Sequence, residues 1–208
     1  MSPPRRLHHP QQNPLPPRLT KPAALAALHN HDQFLSADPH LTSYKRLSAP
    51  GEVSGDYASY QVPASIVPIA AADGDQVKVY EVHDHVPNPV WSSDVTSVEE
   101  FVDCADGVWV RVRSPLGIVL ETTWNKNGTA EEEEEEATLE LVQTCECRCN
   151  RLLASICKGQ IEKGWREVHQ KLIQGMLGDG SGGDKDGKTA GGGAAAAAVA
   201  APTATVAA

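Results

Sequence analysis

The stretch nearest to chemistry is His83-Asp84-His85, because histidines at i and i+2 on a β-strand put two imidazoles on one face, as a metal site requires. Glu81 shares that face, but no other ligand stands at a metal-binding spacing. The pattern therefore reads as a pair of exposed histidines near a strand end, and no metal is assigned. As weak catalytic candidates His83 and His85 are joined by Asp103, all three expected at the mouth of a cavity. His29 and His31 are only two apart on a helical segment, so they point to different faces; a helical metal pair needs i and i+4.

Cys104, Cys145, Cys147, Cys149 and Cys157 form an odd set that does not read as a disulfide framework. Period two puts Cys145, Cys147 and Cys149 on one strand face, about 7 Å apart in succession, just beyond the usual reach of a bridge. Zinc sites more often use a C-x2-C turn, so buried free thiols acting as small hydrophobes are expected, which suits a reducing compartment. There is no nucleophile elbow, P-loop or dinucleotide fingerprint, and no cofactor is assigned.

The formal charge is −9, yet six acids fall in the glutamate run 131–136, which leaves −3 for the rest. That run reads as a solvated loop. No Lys/Arg stripe interleaved with aromatics appears, which argues against nucleic acid as a partner. No apolar stretch of about 18 residues occurs, so no membrane span is expected. Residues 1–21 carry Arg5, Arg6 and Arg18 and no acid, as transit peptides do, but seven prolines in the first 22 residues rule out an amphipathic helix. A cytoplasmic location is expected, with mitochondrial import as the alternative.

The elements that must position these groups follow from periodicity. Residues 150–177 carry Leu153, Ile156, Cys157, Ile161, Trp165, Val168, Leu172 and Met176 at helical spacing, with charged residues opposite, which predicts one long amphipathic helix. Such a stripe needs a sheet beneath it. Thr20 and Pro22 predict a helix start, running over 22–34 with Leu25, Leu28 and Leu35 toward the core. Strands are expected over 41–47, 57–67 (interrupted by Pro63), 76–86, 95–105, 108–114, from 118, and over 138–149. Asp106-Gly107 reads as a two-residue turn that sets Glu100 opposite Arg113 and Phe101 opposite Val112. Pro115-Leu116-Gly117 reads as a three-residue turn with Gly117 left-handed, pairing Arg111 with Glu121, Val112 with Leu120 and Val108 with Trp124. Three parts result: a disordered Pro-rich tail over 1–20, one domain over 21–177 and a flexible Gly/Ala-rich tail over 178–208.

Leu28-His29-Asn30-His31 with Asp38-Pro39, Ser114-Pro115-Leu116-Gly117-Ile118 with Trp124, and Cys149-Asn150-Arg151-Leu152-Leu153 with Lys158 and His169 resemble an uncharacterised fungal family of the START-like (SRPBCC, polyketide cyclase-like) superfamily. The resemblance covers about residues 20–177. It implies an α+β helix-grip fold, an antiparallel meander packed on a long C-terminal helix, with a cavity between them of the kind that holds lipids, sterols or polyketides. Relatives open with a β-strand before the first helix; residues 5–17 are too proline-rich to pair well, so that edge is expected to be missing or replaced.

The leading expectation is a non-enzymatic protein binding a small hydrophobic ligand among Val110, Val112, Leu120, Leu153, Ile161 and Trp165. An apolar cavity of about 300 to 1,000 Å³ is expected beside Trp165. A cyclase- or hydrolase-like enzyme using His83, His85 or Asp103 is the alternative. An interaction module with a collapsed pocket, its glutamate loop meeting a basic partner, is the third.

Overall fold

The computed structural model describes residues 5–47, 62–70, 75–87, 92–127 and 139–177. The glutamate run 131–136, the tail 178–208 and the first half of the strand expected over 57–67 lie outside them. Residues 62–70 form no strand. They contribute an isolated bridge between Pro68 and Cys104, and the Ile69 N–H donates to the Asp103 carbonyl at 2.9 Å.

Seven strands make one antiparallel sheet: β1 (Arg5–Pro14), β2 (Leu41–Leu47), β3 (Lys78–Pro87), β4 (Ser92–Cys104), β5 (Gly107–Ser114), β6 (Ile118–Asn127) and β7 (Glu140–Cys149). Their order across the sheet is β1-β7-β6-β5-β4-β3-β2. Two short helices, α1 (Lys21–Leu28) and α2 (His31–Leu35), connect β1 to β2, and the 23-residue α3 (Ala154–Met176) closes the chain. All three lie on one face of the sheet, where the main hydrophobic core forms.

The Pro-rich N-terminus is the largest correction to the sequence reading. Arg5–Pro14 is neither tail nor missing edge; it pairs along its whole length with β7. An edge strand needs only one side of its backbone for pairing, and Pro10 and Pro14 stand four residues apart, so a single register spares both missing N–H groups. Composition hid the strand because its inward positions, His9, Gln11 and Asn13, are mostly polar.

The helix expected over 22–34 is two. Asn30 interrupts it, its Oδ1 accepting the Gln33 N–H at 3.2 Å to start α2 afresh, as Thr20 does for α1. This break turns His31 toward the sheet. On α3 the buried line runs through Ala154, Cys157, Ile161, Val168, His169, Leu172 and Met176, so Trp165 stands at its margin, only half-buried.

The β5–β6 turn has the expected register, with Arg111 opposite Glu121 and Val112 opposite Leu120, and both Leu116 (φ 63°) and Gly117 (φ 70°) left-handed. The β4–β5 hairpin slips by two. Cys104 pairs with Gly107, the turn residues are Ala105 and Asp106, and Glu100 faces Arg111 while Phe101 faces Val110. Gly107 is the first residue of β5, and only glycine fits there because a Cβ would collide with the Trp124 carbonyl on β6. An even slip leaves every side chain on its expected face.

Trp124, Phe34 and Phe101 centre the core, Phe34 standing edge-on to both others at ring separations of 5.2 and 5.4 Å. The opposite face of the sheet carries ionic pairs: Glu100 with Arg113 (3.3 Å) and Arg111 (3.8 Å), and Glu121 with Arg111 (2.9 Å) and Arg148.

Candidate functional site

The strand period divides the catalytic candidates between the two faces. His83 and His85 lie on the outer face, bonded to Thr96 (3.0 Å) and Asp94 (2.7 Å), away from the helices. Asp103 lies inward. Its Oδ1 accepts from His31 Nε2 at 2.9 Å and its Oδ2 from Lys78 at 2.9 Å. Burial works against its charge, but these two bonds hold the carboxyl down to about 2. In the neutral ring, His31 Nδ1 accepts the Tyr80 hydroxyl at 3.1 Å. Lys78, Asp103, His31 and Tyr80 thus form a continuous chain of hydrogen bonds that fastens α2 to β3 and β4. The ring of His31 also packs on Phe101, 4.5 Å between centroids.

A second polar group sits under the middle of α3. His169 Nε2 donates to Gln143 Oε1 at 3.0 Å, and the Asn13 amide donates to His169 Nδ1 at 2.6 Å. Burial lowers His169 to about 4, so the ring is neutral, as these two bonds require. Asn13 of β1 has its partner here.

The third group was hidden between the two histidines of the sequence motif. Because His83 and His85 face out, Asp84 faces in, on the same side as Ser97 and Glu99 of β4 and near Asp38 at the end of α2. Asp84 and Glu99 are each 2% exposed and Asp38 1%. Burial pushes all three carboxyls up, Asp84 to about 7, and mutual repulsion adds to it for Asp38 and Glu99. Both Asp84 oxygens and the Ser97 hydroxyl are buried with no hydrogen-bond partner among the described residues. The signal in the sequence was parity alone: an acid flanked by two outward residues on a half-buried strand points inward.

Of the six expected lining residues, Val110, Val112, Leu120, Leu153 and Ile161 are buried. The space beside Trp165 is about 20 Å³, bounded by Leu120, Gln143, Cys145, Ile161 and Val168. That holds one water at most, so the described residues do not form the expected ligand-sized cavity at Trp165. Val168, Leu172 and His169 fill the middle of the grip instead. A cavity of about 220 Å³ opens further along, between β1 and the first half of α3, lined by Leu7, His8, His9, Lys158, Ile161 and Glu162. Only Ile161 of the expected set reaches it. His9 brings a buried Nε2 with no partner among the described residues. Sequence reading missed this site because half of its wall is the strand taken for a tail.

Trp165, half-buried, stands edge-on to His169 at 5.3 Å with Arg166 over its ring at 5.4 Å. Trp165→Ala should therefore cost about 1 to 2 kcal/mol in urea melts, below the roughly 3 to 5 of a fully packed tryptophan. A loss above about 3 kcal/mol would show that the ring is core.

Sheet, long C-terminal helix and a half-open cavity between its first turns and the sheet edge define a helix-grip protein of the α+β class. The chain belongs to the family described as Domain of unknown function (DUF7053), whose model matches residues 4–177. A solved structure that resembles it is TTHA0849 from Thermus thermophilus, at 12% identity over 85% of this chain and 100% of that one, with a TM-score of 0.47. That likeness adds nothing to the architecture read from the strands. None of the curated proteins compared matches this chain. Among the described residues no helix is long and apolar enough to cross a membrane.

Proposed function

We propose that this chain is a START-like binding protein, without catalysis of its own, that holds a compact ligand in the cavity between β1 and α3. The observation that carries the reading is the half-open cavity of about 220 Å³ between β1 and α3, whose wall combines apolar side chains with His9. Leu7 and Ile161 supply apolar wall, while Lys158 and Glu162, 3.6 Å apart, stand as a charged pair at the rim. The volume lies below the usual range for drug-sized ligands, about 300 to 1,000 Å³, which suits a small amphiphile or one apolar arm of a larger one. The enzyme reading is the weaker one: both Asp103 oxygens are engaged by His31 and Lys78, and His83 and His85 sit on the other face.

Native mass spectrometry of the full chain, purified from its own host, tests the reading. A bound mass of a few hundred daltons is expected on the wild-type protein. Ile161→Trp, which fills the cavity, should lose that mass while keeping its circular dichroism spectrum. An unliganded wild type, or a mass retained equally by the folded variant, counts against the site.

A further inference from the structure

We propose that Cys147, Cys149 and Cys157 form a binding site for one soft divalent cation of the zinc and cadmium class, held by three thiolates. Their Sγ atoms all lie within 4.8 Å of one another. A cation with metal–sulfur bonds of about 2.3 Å holds its sulfurs roughly 4 Å apart, so the triangle is already near the size a shared ion needs. The three come from two elements. Cys147 and Cys149 alternate on the inward face of β7, and Cys157 descends from the first turn of α3. The sequence spacing alone argued against this, since the usual C-x2-C turn is absent; the third ligand arrives by packing.

One further feature suits an ion there. Three thiolates around a divalent cation leave a net negative charge, and α3 starts beside them with no side-chain cap at Leu153, where the helix dipole favours negative charge. Leu7, which pairs with Cys147 across β1 and β7, and Lys158, which directly follows Cys157, line the half-open cavity of about 220 Å³, while the three cysteines themselves are buried and form no part of its wall. Binding exchanges three S–H bonds for three metal–sulfur bonds and releases three protons to solvent, with no change of oxidation state. Three protein ligands leave a coordination position open, as catalytic zinc sites do.

Titration of the full-length, reduced chain with Cd(II) against a chelator of known affinity tests this. The expected result is an ultraviolet thiolate-to-metal charge-transfer band that saturates at one ion per chain, with a raised melting temperature in the metal-bound state. Cys157→Ser and Cys149→Ser should each weaken binding by roughly 100-fold or more, and the triple Cys→Ser variant should lose the band. Cys104→Ser, on the other side of the sheet, should leave binding unchanged. Melting curves of each metal-free variant identify any that fail to fold, and the proposal is then judged on the variants that do. Absence of a saturable band in the wild type, or the same affinity in a folded Cys149→Ser or Cys157→Ser variant, overturns it and leaves the thiols as apolar filling. Ile161→Trp separates this proposal from ligand binding, since it obstructs the cavity while keeping all three sulfurs.

Discussion

Trp124→Ala will cost about 3 to 5 kcal/mol of folding stability, the largest loss expected from any single truncation of the core. Trp124 is 1% exposed. Its ring meets Phe34 edge-on at 5.2 Å and His169 at 4.9 Å, so it joins α2, β6 and α3 in one contact. Removing it leaves a void that three elements cannot close together, and it strips the apolar cover from the His169–Gln143 hydrogen bond. Urea melts of wild type and variant at neutral pH give the difference. A loss under about 1.5 kcal/mol would mean that the grip collapses readily and that this contact does not organise it.

Asp84→Asn will stabilise the protein at alkaline pH and change little in acid. Burial raises Asp84 to about 7, far above the ordinary carboxylate range. Between that range and 7 the folded chain keeps a proton that the unfolded chain has released, so stability falls as pH rises through this window and the loss is complete above it. The amide keeps the shape and removes the ionisation. The expected gain is roughly 3 to 4 kcal/mol at pH 8 and under about 1 kcal/mol at pH 4, where the folded carboxyl is protonated and the unfolded one is only about half ionised. Asp38 and Glu99 are raised by burial and by the charge of Asp84, so the substitution eases them as well. Lys171 of α3 acts on Asp38 in the opposite direction. Thermal melts across pH 4 to 8 decide the matter: parallel profiles for the two proteins would show that Asp84 ionises as freely in the folded chain as in the unfolded one.

The sequence by itself determined what is local. A stripe repeating every three to four residues marks α3, period-two patterns mark β2 to β7, and Pro115-Leu116-Gly117 fixes the β5–β6 register, because each depends on neighbours a few residues away. Even where the β4–β5 hairpin slips, parity keeps Glu100 and Phe101 on their expected faces. Tertiary structure alone decided the sites. β1 exists because β7, some 130 residues further on, offers it an edge, and its polar inward residues make sense only once Asn13 meets His169 across 156 residues of chain. His31 reaches Asp103 across 72 residues after Asn30 breaks the helix before it. The grip holds its cavity at the sheet edge rather than at Trp165 because Val168, His169 and Leu172 fill the middle. Cys157 joins Cys147 and Cys149 only where the first turn of α3 docks on β7. Periodicity reports which way a side chain faces; which distant side chain it meets there is a property of packing.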